Sequence, residues 1–332
     1  MLVFYNPVMK LNRDVSVILL NSISGKNMQI ADPLAASGIR SIRFLKELRK
    51  DKIKRICIND SSKDAIKSLK RNLSLNKKSK NKKIEIKNED ANLFLLNSTG
   101  FDYIDIDPFG NPNPFLDSAC RRIARDGILA ITATDTSALC GTYPSACIRK
   151  YWAVPKKGPL MHEIGLRILI RKVQLIAAQY EKALIPIFSY SKEHYMRVFF
   201  RNEKGKNKVD EVMKLHGYFE NSGPMWLGKL WDGDLAHKML KTAKSNEIFR
   251  YDRELAIFLE TINEESRSNA VGFYDIHDIC SKNKIKDIAK KKELIKKIIM
   301  AGYKASSTHF KGEGIRSDMK IDDLIKILKK EK

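Results

Sequence analysis

The chain is predicted to be an α/β protein, with a mostly parallel, seven-stranded sheet followed by a smaller carboxyl-terminal α+β domain. Three observations carry this reading. Short β-type apolar runs alternate with segments of helical period through the first half of the chain. The run Gly127 to Thr134 is almost continuously apolar, as in a strand covered on both faces by helices. Beyond Asn202 the texture changes: Gly205, Gly217, Gly223, Pro224, Gly228 and Gly233 punctuate a stretch that carries Trp226 and Trp231. Two domains are therefore expected, 1–221 and 222–332.

Each element has its own signal. From Asn12 to Ser22, Val15, Ile18 and Leu19 recur at helical spacing, with Ile23 just beyond, and lead into a strand over Met28 to Ala31. That strand ends in the small-residue loop Asp32-Pro33-Leu34-Ala35-Ala36-Ser37-Gly38. Ile39, Ile42, Leu45 and Leu48 then mark the inner face of a helix whose other face carries Arg40, Arg43 and Lys46. A second strand, Arg55 to Asn59, stops at Asp60, and Ser61 or Ser62 can cap the next helix, with Ile66, Leu69 and Leu73 inward. Lys77, Lys78, Lys80, Lys82 and Lys83 fill a solvated connection to the third strand, Ile84 to Lys87, which reaches Glu89-Asp90-Ala91.

The fourth strand starts at Phe101 and is followed by a helix with Phe115, Leu116, Ala119 and Ile123 inward. After the fifth, a long helix over Met161 to Ala183 precedes Leu184 to Tyr190 and Tyr195 to Arg201, two runs close enough to pair antiparallel. Further on, Leu255, Phe258, Leu259 and Ile262 form one helical stripe, and Leu294, Ile295, Ile298 and Ile299 another. Tyr274 to Lys284 reads as a short helix and turn, and Tyr303 to Lys311 as extended chain before Gly312 and Gly314. Helix, helix and basic hairpin make the outline of a winged helix, or of a plain helical subdomain.

A formal charge of +23 over 332 residues exceeds what solubility needs and points to a polyanionic partner, nucleic acid before membrane. Apolar runs such as Leu166 to Ile170 fall far short of the ~18 residues that span a bilayer, and the amino terminus lacks a signal-peptide pattern, so a cytoplasmic protein is expected. The five cysteines form no Cys-x-x-Cys pair, so neither a zinc ribbon nor a disulfide framework is indicated, and no metal is expected. A monomer is expected. His162 and Glu163 open a helix without completing His-Glu-x-x-His, and read as structural or RNA-facing.

The chemistry concentrates at Asp107-Pro108-Phe109-Gly110, where the fourth strand stops abruptly. Pro108 lacks a ladder donor and Gly110 admits backbone angles other residues avoid, so Asp107 is expected at the strand's carboxyl end, where ligands bind in α/β sheets. The tetrapeptide suits a tight turn. It equally suits a grip on a planar base with an exocyclic amine: Asp107 and the Pro108 carbonyl accept from the amine, and Phe109 stacks. Asp60 and Asp90-Ala91 close neighbouring strands, an order that fits a nucleoside cofactor: one acid for ribose hydroxyls, another for the adenine amine. Neither Gly-x-Gly-x-x-Gly nor Gly-x-x-x-x-Gly-Lys-Ser/Thr is present, against a dinucleotide fold and a nucleotide triphosphatase.

Phe4-Tyr5-Asn6-Pro7, Asn12-Arg13-Asp14, Ala36-Ser37-Gly38-Ile39-Arg40, Asp90-Ala91-Asn92 and Asp105-Ile106-Asp107-Pro108-Phe109-Gly110 occur in one order. So do Thr132-Ala133-Thr134-Asp135, Leu139-Cys140-Gly141, Arg149-Lys150-Tyr151, His162-Glu163-Ile164-Gly165 and Gly223-Pro224-Met225-Trp226-Leu227-Gly228. Together they resemble the tRNA (guanine(26)-N2)-dimethyltransferases, and the likeness covers nearly the whole chain. It implies a Rossmann-like methyltransferase domain using S-adenosyl-L-methionine, a carboxyl-terminal tRNA-binding domain, and one or two methyl groups placed on the N2 amine of guanine 26 in tRNA. It assigns cofactor contacts to Arg13, Arg40, Asp60, Asp90 and Ala91, with both arginines meeting the methionine carboxylate. Asp107 and Pro108 become catalytic, and Phe4 and Phe109 clamp the base. Other readings are a DNA amino-methyltransferase, which uses a similar acid or amide before Pro and an aromatic, and a non-catalytic winged-helix binder.

Overall fold

The computed structural model describes residues 6–286 and 289–329. Seven strands form the central sheet: β1 (Met28–Asp32), β2 (Ile53–Asn59), β3 (Ile84–Lys87), β4 (Phe101–Ile106), β5 (Ile123–Ala133), β6 (Lys182–Lys192) and β7 (Tyr195–Lys204). Their spatial order is β3-β2-β1-β4-β5-β7-β6, with the first five parallel and β7 antiparallel to both β5 and β6. The expected mostly parallel sheet with an antiparallel edge is what forms. The order in which strands are added switches direction between the parallel neighbours β1 and β4, which opens a crevice at their carboxyl ends.

Seven helices cover this sheet: α1 (Lys10–Ser22), α2 (Ile39–Glu47), α3 (Lys63–Leu75), α4 (Ala91–Leu96), α5 (Leu116–Arg122), α6 (Pro144–Tyr151) and α7 (Met161–Ala178). Their starts follow from local chemistry. The Ser62 hydroxyl accepts from the Ala65 amide at the head of α3, and Asp90 accepts from Asn92 and Leu93 at the head of α4. Gly38, at φ +73°, begins α2, and a Cβ there would lie 2.1 Å from Leu69 Cδ1, so both backbone angle and helix packing require glycine.

Two expected boundaries moved. The fifth strand opens at Ile123 rather than Gly127, because a register shift beside Phe101 lets Ile123, expected on a helix face, pair in the sheet. The long helix stops at Ala178 rather than Ala183, since Glu181 takes a left-handed φ of 55° and the chain turns into β6.

After β7 come α8 (Lys206–Lys214), the hairpin β8 (His216–Phe219) and β9 (Ser222–Trp226), then α9 (Gly233–Ser245) and α10 (Arg253–Glu265). Met225, Trp226, Leu230, Trp231, Leu235, Leu259 and Ile262 share one apolar cluster with the central sheet. The expected boundary at 221/222 falls in the turn between β8 and β9. A separate cluster of Ile276, Ile279, Leu294, Ile298, Ile315, Leu324 and Leu328 unites β10 (Tyr274–Asp275), α11 (Ile276–Lys282), α12 (Lys291–Met300), β11 (Ala305–Ser307), β12 (Gly314–Ser317) and α13 (Ile321–Lys329). Two helices followed by a hairpin, with β12 between β10 and β11, give the winged-helix outline.

Arg316 of β12 joins this module to the sheet. Its guanidinium donates to Glu163 of α7 at 2.6 and 3.2 Å, to Glu265 of α10 at 3.0 Å, and to the Ala270 and Gly272 carbonyls at 2.8 Å each. Arg167 adds a second cation to Glu163 at 2.9 Å and also holds the Trp226 and Gly228 carbonyls. All four charged side chains are buried. Burial works to raise the Glu163 carboxyl, but Arg316, Arg167 and their hydrogen bonds outweigh it and hold the group down to about 2. Glu163 is thus structural, one of the two roles its sequence context left open.

Two outcomes test this clamp. Arg316→Met leaves two carboxylates buried without their shared cation, and is expected to cost about 3–5 kcal/mol in urea denaturation at neutral pH. Because the native Glu163 carboxyl lies below its unfolded value of ~4.3, its contribution of about 3 kcal/mol is complete above that pH and is lost as pH falls toward 2. The urea midpoint of wild-type protein should fall over that window, and Glu163→Gln should flatten the fall; equal slopes would contradict the assignment.

Candidate active site

Tyr103, Asp105 and Asp107 alternate along β4 and so share one face of the strand. Around them converge α1 with Asn12 and Ser16 one turn apart, α2 with Arg40, and β7 with Arg197, which pairs in register with Thr132 of β5. Arg197 grips Asp105 through two bonds, 2.8 and 2.7 Å, and donates to Thr132 at 2.7 Å. Tyr103 adds its hydroxyl proton to Asp105 at 2.6 Å. Arg40 lies one layer higher: it donates to Asn12 at 2.8 Å and Ser16 at 3.0 Å, approaches Asp105 at 3.4 Å, and closes a salt bridge with Asp107. A guanidinium that spans both carboxylates fixes the direction of the upper one.

Burial sets the electrostatics. It works to raise the Asp105 carboxyl, yet Arg197 and Arg40 together hold it below the ordinary carboxylate value. Burial pushes the Tyr103 hydroxyl well up, which keeps it a neutral donor. Asp32, at the end of β1, is pushed up to about 7 by burial, against the Ser41 hydroxyl bond at 2.6 Å and the charge of Arg40.

The loop after β4 is tied to the end of β5. Thr134 receives the Gly110 amide on its hydroxyl at 2.7 Å, its own amide donates to the Gly110 carbonyl at 2.9 Å, and its hydroxyl lies 3.2 Å from the Pro108 carbonyl. Gly110 has a φ of +94° with open space around its missing Cβ, so backbone angle alone calls for glycine there. This hook leaves Pro108 buried and turns the Phe109 ring outward, 79% exposed, at the mouth of the crevice. Only 19% of the Asp107 side chain is accessible, on the crevice side.

A cavity of about 310 Å³ lies between this loop and the Asp32 to Gly38 loop, and Arg13, Arg40, Asp107, Pro108 and Phe109 all line it. Arg13 donates to the Asn6 carbonyl at 3.2 and 3.3 Å, which holds Asn6 at the cavity wall. Asp60 stands at the end of β2, its two oxygens accepting the Ala36 amide at 2.8 Å and the Ser62 amide at 2.9 Å. Asp60, Asp90 and Ala91 all lie outside the cavity lining, the last two at the next strand end, where Asp90 is exposed as the α4 cap and Ala91 is buried behind it. Asn59 spans the two loops, donating to the Pro33 carbonyl at 3.1 Å and the Glu89 carbonyl at 3.0 Å. Phe4 lies outside the described residues.

Arg197 and Ser16 were not singled out from sequence, and Asp105, Asn12, Thr134 and Asp32 entered only as members of loops or motifs with no role of their own. The period-two series Tyr103, Asp105, Asp107 was a usable signal, as was an arginine inside the apolar run Tyr195 to Phe200. Among the described residues no group of three His, Cys, Asp or Glu side chains could hold a metal ion, and no helix is long and apolar enough to cross a membrane.

The buried pair yields a thermodynamic test. Arg197→Met strands Asp105 and should cost about 3–5 kcal/mol, whereas adding Asp105→Leu should recover part of that loss. Strictly additive losses in chemical denaturation would show that the two side chains do not depend on one another.

A family model described as N2,N2-dimethylguanosine tRNA methyltransferase matches residues 1–222 and 215–329 of the chain. The tRNA (guanine(26)-N(2)/guanine(27)-N(2))-dimethyltransferase of Aquifex aeolicus is 38% identical, over 98% of this chain and 89% of its own length. The tRNA (guanine(26)-N(2))-dimethyltransferase of Pyrococcus horikoshii is 38% identical over 99% and 92%. The solved complex of Trm1 from Pyrococcus horikoshii with S-adenosyl-L-methionine superposes with a TM-score of 0.89 and 36% identity, covering 98% of this chain and 94% of that one. With this sheet order, the crevice at β1 and β4 and matches along nearly its whole length, the chain belongs to the N2,N2-dimethylguanosine tRNA methyltransferase family.

Proposed function

We propose that the protein transfers one or two methyl groups from S-adenosyl-L-methionine to the exocyclic N2 amine of guanine 26 in tRNA, giving N2,N2-dimethylguanosine. The observation that carries this is Asp107, held by Arg40 at the rim of a cavity that also receives the Asp32 to Gly38 loop, in a chain of this family. Residues 1–221 would hold the transfer site and 222–332 would bind tRNA; the winged-helix outline and Lys291, Lys292, Lys296 and Lys297 on α12 support the second assignment.

The cavity and the two strand ends beside it together suit the cofactor. Each Asp60 oxygen is oriented by one amide and keeps a lone pair for a ribose hydroxyl, while the exposed Asp90 and the close backbone of Ala91 suit an adenine edge. Arg13, lining the same cavity, offers a guanidinium to a carboxylate; Arg40 reaches the cavity as well, but its bonds to Asn12, Ser16 and Asp107 make it the post that holds Asp107. S-adenosyl-L-methionine bound here would supply an electrophilic methyl group on a sulfonium centre, whose methyl–sulfur bond breaks to leave a neutral thioether.

The guanine amine is a poor nucleophile because its lone pair is delocalised into the purine, so positioning supplies much of the rate. Asp107 and the Pro108 carbonyl accept from the two amine hydrogens and aim the nitrogen lone pair into the cavity. As the new N–C bond forms, Asp107 takes the departing proton directly or through water. Phe109, with Phe4 from the amino-terminal segment, clamps the ring. A stacked guanine cannot enter, so the base is extruded at a cost of a few kcal/mol, offset by phosphate contacts.

Asp107→Asn keeps an acceptor for Arg40 but cannot take a proton. Transfer to tRNA, read by nucleoside mass spectrometry, should fall by roughly 10²–10⁴-fold while cofactor affinity by calorimetry stays within about threefold. Wild-type turnover in that variant would remove the assigned role.

A further inference from the structure

The longest acid-poor stretch beside the active site runs from Thr136 to Gln179, with seven Lys or Arg residues and a single acid, Glu163, which is buried in the Arg316 clamp. Its first part, α6 and the segment after it, lies against the catalytic loop: Asn113 of that loop donates to the Lys150 carbonyl at 2.8 Å. Three large rings stand exposed nearby, Phe109 at 79%, Tyr143 at 61% and Trp152 at 49%. Trp152 takes the left-handed conformation that ends α6, at φ 57°, and Lys172 places its ammonium over the indole face, 2.9 Å from the ring centre. Val154 then pairs with Gly223 through two backbone bonds, 2.7 and 2.8 Å, and carries the strip to the β8–β9 hairpin and the exposed Tyr218. Cations and ring faces alternate along this strip.

Its charges are only partly answered from within. Lys150 reaches Asp135 at 3.8 Å and Lys156 reaches Glu220 at 2.6 Å. Among the described residues no carboxylate pairs with Arg149, Lys157 or Arg171. A membrane surface or an acidic peptide would also answer the cations, but neither would continue into the base pocket that the strip adjoins at Asn113 and Lys150. An RNA strand uses both cations and rings, since its phosphates meet the cations while unstacked bases lie on the rings.

We propose that α6 and the segment following it, presenting Tyr143, Arg149, Lys150, Trp152 and Lys157 beside the catalytic loop, hold the RNA strand that flanks the extruded guanine. This rests on the function proposed above and adds the surface through which that substrate is held open. Extruding one base unstacks its neighbours, and Tyr143 and Trp152 replace the lost stacking while Arg149, Lys150 and Lys157 neutralise the backbone on either side. The strip runs from the pocket mouth toward the carboxyl-terminal module, so one strand touches both.

The test uses full-length protein with a tRNA transcript, and compares Arg149→Gln/Lys150→Gln/Lys157→Gln with Lys78→Gln/Lys80→Gln/Lys82→Gln, which removes equal charge from the α3–β3 connection at the amino end of the sheet. Binding is measured across a salt series, together with kcat, KM and cofactor affinity. The first variant should weaken tRNA binding by at least tenfold and lower the slope of log affinity against log salt by about two, with cofactor affinity unchanged. Tyr143→Ala should raise KM for tRNA about fivefold or more without changing the salt slope, as lost stacking would. The control triple should leave the slope at its wild-type value. A wild-type slope in the first variant, or equal falls in both, overturns the surface while wild-type methylation of tRNA leaves the function standing. Wild-type protein that neither binds nor methylates tRNA removes both.

Discussion

Arg40 is buried, yet it bonds to side chains from α1 and to two carboxylates of β4, and the upper of these is Asp107. The rest of the site depends on that arrangement. A guanidinium taken out of water needs counter-charge and full hydrogen bonding, or the fold does not tolerate it. Here Asp105 stands 3.4 Å below and is shared with Arg197, so the closer bridge from Arg40 goes to Asp107 at the rim. An apolar packing of the same space would serve stability as well or better. What the charges add is direction: a carboxylate that could swing on two torsions is held toward the cavity before any substrate arrives, which suits a reaction whose nucleophile must be aimed.

The same device recurs where the carboxyl-terminal module meets the sheet. Arg316 and Arg167 against Glu163 and Glu265 form another buried cluster, sealed by Trp231 and Phe310 beside the Arg316 guanidinium. A contact of this kind fixes relative orientation more sharply than apolar packing, because each donor must meet a particular acceptor. On the proposed function, in which an RNA strand and a one-base pocket are presented at a set spacing, fixed orientation between module and sheet is useful. The acid-poor strip of α6 lies between the two clusters.

Much of the fold was legible because its signals are local. The alternation of apolar runs with helical stripes gave seven strands and most of the helices beside them, though not α6, and the break at Asp107-Pro108 placed the candidate site at a strand end. The boundaries that moved did so through tertiary effects: a register shift drew Ile123 into β5, and a left-handed Glu181 ended the long helix early. Asp105, Arg197 and Glu163 were harder to read, since their meaning lies in partners far along the chain. Glu163 and Arg316 are 153 positions apart, and Arg197 meets Asp105 only because β7 inserts beside β5. The order of strand ends suggested roles for Asp60 and Asp90, whereas the role given to Arg13 came from the likeness to a known family alone. For Arg40 the geometry adds bonds that no motif would have disclosed.

The central claim is that a carboxylate fixed by Arg40 receives an exocyclic amine. A tRNA transcript with inosine in place of guanine 26 keeps the ring, its O6 and its N7, and lacks only that amine. Nucleoside mass spectrometry after incubation with labelled methyl donor should find dimethylguanosine in the guanine transcript and no methylated purine at that position in the inosine transcript. Label on the inosine itself would mean that the protein methylates another atom, and that Asp107 does not serve as the acceptor for an amine proton.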